Sequence, residues 1–228
     1  MRTIEENIHD FQSRLSGTNC RLIAVSKTHP VELIREAYDG GQRAFGENKA
    51  QEMMQKQPQL PADVEWHMIG HLQTNKVKYI APFVSLIQSV DSLRLLQEID
   101  KQGQKHSRVI DCLLQFYIAE EETKFGLDLE EARKMLRSPE YSQLKNVRIC
   151  GVMGVATNTN DEQHLQREFY RLRTYFEALR EEFFPGAPHF KEISMGMSSD
   201  YQLAIAEGST MIRVGSAIFG NRDYSLAK

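Results

Sequence analysis

The chain has 228 residues, 41% of them hydrophobic and 26% charged, a balance close to that of soluble globular proteins and enough length to bury one substantial core. A formal charge of -3 with Lys and Arg scattered excludes the basic footprint that neutralises a nucleic-acid backbone, and no apolar run approaches the ~20 residues of a membrane helix. Neither nucleic acid nor membrane is therefore expected as a partner. Cys20, Cys112 and Cys150 are odd in number and far apart, which points to buried reduced thiols rather than a disulfide framework.

The opening segment MRTIEENIHDFQSRL carries acids and lacks the continuous apolar stretch of a secretory leader, so it is expected as the amphipathic first helix of a cytoplasmic protein. Short runs rich in aliphatic and β-branched residues then alternate with stretches at helical spacing. The predicted strands are Arg21–Ser26, Arg43–Gly46, Glu65–Ile69, Ser85–Val90, Val109–Ile118, Arg148–Val155, Lys191–Met195 and Met211–Val214. Pro30 suits the first turn of a helix running through Leu33, Ile34 and Ala37 to Gly40-Gly41, and Asp91 or Ser92 can cap the helix bearing Leu93, Leu95, Leu96 and Ile99. After Asp161, Leu165, Phe169, Leu172, Phe176, Leu179 and Phe183 recur in steps of four and three, one continuous apolar stripe.

Eight such units in a chain of this size predict an α/β fold, a single-domain (β/α)8 barrel over residues 1–228; a doubly wound sheet is the alternative that the same alternation allows. No linker or shift of composition marks an internal boundary. In a barrel the chemistry belongs at the carboxyl ends of the strands.

Lys27 closes the first predicted strand, just before His29-Pro30 turns the chain. A lysine partly withdrawn from water there loses affinity for its proton and becomes an amine able to attack an aldehyde; the plainer alternative is a lysine that reaches solvent. Near the other end, Ser194-Met195-Gly196-Met197-Ser198-Ser199-Asp200 and Arg213-Val214-Gly215-Ser216 place glycines and hydroxyls after strands seven and eight, where this architecture recurrently holds phosphate. Gly46-Glu47-Asn48 and the run from His67 to Lys76 add amides and glycines at strand ends two and three. His67 and His71 are four apart, but Gly70 and the strand pattern argue against a shared helix, so no metal site is expected. Glu120-Glu121-Glu122 is expected as a solvated loop.

In order, VSKTHP at Val25–Pro30, FGEN at Phe45–Asn48, WHMIGHLQTNK at Trp66–Lys76, TKFG at Thr123–Gly126, SMGMSSD at Ser194–Asp200 and RVGSAIFG at Arg213–Gly220 give a chain that resembles the pyridoxal 5'-phosphate homeostasis proteins, single-domain relatives of the alanine racemase barrel. The resemblance covers essentially the whole chain. It implies that Lys27 forms the internal aldimine with pyridoxal 5'-phosphate, that Ser198, Gly215 and Ser216 hold the phosphate, and that Arg213 faces the pyridine nitrogen. It further implies that Asn48 lies near the aldimine and that His67 and Met195 line the pocket, while Lys124 matches a family lysine without an assigned role. Lys49 after GEN, and Gln115–Tyr117 in place of a smaller, more amide-rich strand end, depart from the family pattern and leave the pocket wall open.

An arginine can only donate, so beside the ring it favours an unprotonated nitrogen and a poorer electron sink than an acidic partner gives. Racemases with that arrangement use a second acid/base, a tyrosine near a separate C-terminal β domain, for which the short tail after the last motif leaves no room. The expectation is a non-catalytic cytoplasmic carrier, monomer or weak dimer, that holds the cofactor and delivers it to dependent apo-enzymes. The alternatives are a low-activity racemase-like enzyme on amino acids and, from the bare barrel, an ordinary phosphometabolite enzyme.

Overall fold

A computed structural model of the chain describes residues 2–120 and 126–220. The order runs α1 (Ile4–Leu15), β1 (Arg21–Val25), α2 (Val31–Asp39), β2 (Ala44–Glu47), α3 (Ala50–Lys56), β3 (Glu65–Met68), α4 (Val77–Ile80), β4 (Leu86–Val90) and α5 (Leu93–Lys105). It continues through β5 (Ile110–Tyr117), α6 (Leu129–Leu136), α7 (Pro139–Ser142), β6 (Val147–Val155), α8 (Glu162–Phe183), β7 (Glu192–Ser194), α9 (Tyr201–Ala206), β8 (Met211–Val214) and α10 (Ser216–Phe219). All eight strands are parallel and close into a barrel, β8 pairing with β1. The predicted strands overlap the observed ones throughout, and closure decides for the barrel over the doubly wound sheet.

Local chemistry sets the helix starts. Thr3 and Glu6 form a reciprocal capping box on α1, the Ser92 hydroxyl accepts from the Leu95 amide, and Asp161 accepts from the His164 amide at 3.0 Å; each supplies a partner to an N–H that the helix itself cannot satisfy. The apolar stripes then face the sheet: Ile4, Ile8, Phe11 and Leu15 of α1, and Leu165, Phe169, Leu172, Phe176 and Leu179 of α8, are buried.

Alternation along the strands divides the core in two. Leu22, Ala24, Phe45, Trp66, Met68, Ile87, Cys112 and Leu114 point outward beneath the helices. Ile23, Ala44, Leu86, Leu113, Cys150, Met153 and Met211 fill the barrel itself. Cys20, Cys112 and Cys150 are all buried free thiols. Among the described residues no helix is long and apolar enough to cross a membrane.

Candidate functional site at the carboxyl ends of the strands

Closure brings the first and last strands together. In the β1–β8 register Ala24 lies opposite Val214, so Gly215 follows β8 at the level where β1 runs out towards Lys27. Gly215 packs so tightly on β1 that an added Cβ would sit 3.2 Å from the Val25 carbonyl oxygen. Ser216 opens α10 beyond it, and its hydroxyl lies 3.4 Å from that of Ser198 in the loop after β7. Lys27, Ser198, Gly215 and Ser216 thus share one mouth, with Lys27 and Ser198 half-buried and Ser216 exposed. His29 stacks on Phe219, ring centroids 5.0 Å apart, fastening the turn after β1 to α10.

The loop after β7 is shaped by Gly196, whose φ of +94° lies in the left-handed region and whose added Cβ would meet Ala204 Cβ at 2.6 Å. Its carbonyl accepts from the Arg213 amide at 2.9 Å, and the buried Asp200 carboxylate accepts from the Met197 amide at 2.5 Å. Burial holds the Asp200 carboxyl above its usual range, partly offset by that amide and by the Arg213 charge.

Arg213 stands inside the barrel, 5% exposed. Its Nη1 donates to Ser194 Oγ at 2.6 Å and its Nη2 to the Gly154 carbonyl at 2.8 Å. Ser194 in turn donates to Gln88 Oε1 at 2.6 Å. Gln88 Nε2 lies 2.9 Å from His67 Nδ1, and an amide nitrogen can only donate, so Nδ1 accepts and the neutral imidazole carries its proton on Nε2. Burial lowers the Arg213 pKa to about 10, which leaves it cationic at neutral pH. Burial, aided by the Arg21 charge, pushes His67 down to about 3.

The structure does not bring every expected residue to this mouth. His67 points into the barrel below it and lines a cavity of about 400 Å³ at the opposite, amino-end mouth with Arg21, Glu65, Asp111 and Arg148. Met195 follows the inward-facing Ser194 and so points outward into the helix-facing core, fully buried. Asn48 is half-buried at the end of β2, and the exposed Lys49 precedes α3. Gln115 and Tyr117 are half-buried at the end of β5. Lys124, with Glu121 and Glu122, lies outside the described residues, and Glu120 is exposed.

Sequence reasoning missed Gln88, and also Glu52 and Lys56 near the turn after β1, and named Ser194 and Glu47 only as members of strand-end runs, without these contacts. A polar residue inside a strand that is otherwise aliphatic, as in Leu-Ile-Gln-Ser-Val, was the available signal for Gln88. Among the described residues no group of three or more His, Cys, Asp or Glu side chains is arranged to hold a metal ion.

Comparison with known proteins gives one consistent relationship. The family described as alanine racemase, N-terminal domain, matches residues 1–223. The chain is similar to the pyridoxal phosphate homeostasis protein of Aquifex aeolicus, 40% identical over 91% of this chain and 90% of that one, and to that of Vibrio alginolyticus, 35% identical over 99% and 100%. Among solved structures it is similar to PipY of Synechococcus elongatus with PLP bound, at 39% identity and a TM-score of 0.84, covering 96% of this chain and all of that one.

Proposed function

Because the chain belongs to the pyridoxal phosphate homeostasis proteins, built on the alanine racemase N-terminal domain, we propose that it binds pyridoxal 5'-phosphate at the carboxyl-end mouth and holds it for delivery. The observation that carries this reading is the pairing of β1 with β8, which brings the strand end that leads to Lys27 beside Gly215 and the loops that bear the Ser198 and Ser216 hydroxyls. PLP bound to a PipY chain of the same fold supports it.

The bound compound supplies an aldehyde, an electrophile for a primary amine, and an anionic tail. Lys27 is the amine. The Ser198 and Ser216 hydroxyls donate to the phosphate, and Gly215 lets backbone approach it closely. Arg213, whose orientation Ser194 and the Gly154 carbonyl fix, would face the ring nitrogen as a donor that cannot accept a proton. Asn48 lines the mouth beside the turn, whereas His67 and Met195 act only from behind the wall.

A guanidinium at the ring nitrogen leaves it unprotonated and weakens the electron withdrawal that amino-acid chemistry draws on. That supports a carrier over an amino-acid catalyst; we propose further that it works in the cytoplasm as a monomer or weak dimer, with cofactor-dependent apo-enzymes as recipients. Racemase-like turnover needs a second acid/base on the face opposite Lys27.

Borohydride reduction of the loaded protein followed by peptide mapping is expected to place one pyridoxyl group on Lys27, and Lys27→Ala to lose both the label and the visible absorbance. A label elsewhere overturns the assignment. Ser198→Ala and Ser216→Ala each remove a hydrogen bond to a charged oxygen, about 1.5 to 3 kcal/mol, and are expected to weaken retention in dialysis by roughly 10- to 100-fold. Sustained deuterium exchange at the α-carbon of an added amino acid would overturn the carrier reading in favour of the enzyme.

A further inference from the structure

We infer that Lys56, Glu47 and Glu52 form a buried ionic clamp that positions Lys27 by gripping the residues on either side of it, an inference that rests on Lys27 being the attachment residue. Lys56 closes α3 with only 6% of its surface exposed, and its three donors have three acceptors: the Ser26 carbonyl at 2.8 Å, Glu47 Oε1 at 2.8 Å and Glu52 Oε1 at 2.6 Å. Glu47 Oε1 also accepts from the Ser26 hydroxyl at 2.6 Å, and Glu52 Oε1 from the Thr28 amide at 2.6 Å. The carbonyl and hydroxyl of Ser26 and the amide of Thr28 are thus tied to one cluster, and Lys27 is the residue between them.

The backbone shows why a grip is needed. Thr28 has φ of +67°, a left-handed conformation that a β-branched residue rarely adopts and that persists only when its surroundings enforce it. Stability alone accounts poorly for the cluster. Lys56 and Glu47 are ionisable groups that are costly to bury, and a well-packed apolar set of the same volume often serves a fold as well or better. An apolar set, however, cannot hold a carbonyl and an amide, and those are the atoms that fix where the Lys27 side chain leaves the backbone.

The test uses the full chain with two ligands that share the phosphate and differ in the aldehyde. Pyridoxal 5'-phosphate needs the Lys27 amine; pyridoxine 5'-phosphate, an alcohol, needs only the phosphate and ring contacts. Lys56→Met is expected to stay folded by circular dichroism, to bind the alcohol within twofold of the parent, and to bind the aldehyde at least about tenfold more weakly, the effect of losing a charged hydrogen bond. Hydrogen exchange at the Thr28 amide is expected to quicken. Glu52 is partly exposed, 21% for its side chain, so Glu52→Ala gives a reading even if Lys56→Met fails to fold: it should repeat the selective loss, while Glu52→Gln, which keeps an acceptor for Thr28, should recover most of the aldehyde affinity. Unchanged aldehyde affinity in the folded variants, or equal weakening for both ligands, overturns the clamp. Borohydride label on a residue other than Lys27 in the parent chain instead overturns the attachment reading beneath it.

Discussion

Two buried side chains, His67 and Glu47, tie the protein's stability to pH in opposite senses. His67 has an ordinary pKa of 6.5, lowered by burial to about 3. As pH falls through that interval the unfolded chain takes up a proton that the folded chain refuses, so stability drops towards acid. Glu47 has an ordinary pKa of 4.5, raised by burial to about 7 against the pull of Lys56 and Ser26. Between those values the folded chain keeps a proton that the unfolded chain releases, so stability drops as pH rises. Each linkage has a slope of about 1.4 kcal/mol per pH unit within its window, and between pH 4.5 and 6.5 the two oppose one another. Urea unfolding across that interval should therefore show a stability that falls with rising pH in His67→Gln and one that rises with pH in Glu47→Gln. Parallel curves for the two variants would remove both assignments.

At the scale of the element, the tightest constraint lies between β6 and β7. A Cβ on Gly151 would sit 1.8 Å from the Glu192 carbonyl oxygen, backbone against backbone, so the strands cannot keep their spacing with any larger residue. Gly151→Ala is expected to destabilise by about 3 kcal/mol or more, or to prevent soluble expression. Gly186→Ala, where nothing lies within 4 Å of the added atom although φ is +70°, should cost only about 1 kcal/mol by thermal unfolding. Strand positions were legible in the sequence because aliphatic runs punctuated by capping residues mark them directly. Strand faces were less so. A strand covered on both sides reads as apolar at every position, so nothing in Ile193-Ser194-Met195 announced that Ser194 would turn into the barrel towards Arg213 and Met195 away from it. His67 is the same case on β3: the sequence marked the strand, and only the barrel's curvature shows which mouth the ring faces.

For the molecule as a whole, the glycine- and hydroxyl-bearing loops after β7 and β8, and the place of Lys27 just past the end of β1, were legible from the strand pattern. The clamp was not, because Lys56 and Glu52 occupy an ordinary charged helix whose burial exists only once α3 packs against the turn after β1. Nor did the sequence show that β1 and β8 would lie side by side. The barrel has no free edge because its first and last strands supply each other's backbone partners, which also makes the β1–β8 junction the place where it can unzip. A ligand bonded covalently through Lys27 and held by Ser198, Gly215 and Ser216 would span that seam like a rivet. Occupancy should then slow amide exchange most at Leu22–Val25 and Ile212–Val214 and least in β4 and β5 on the far wall, so that the loaded protein resists proteolysis around β1 and β8 and the emptied one is cut there first.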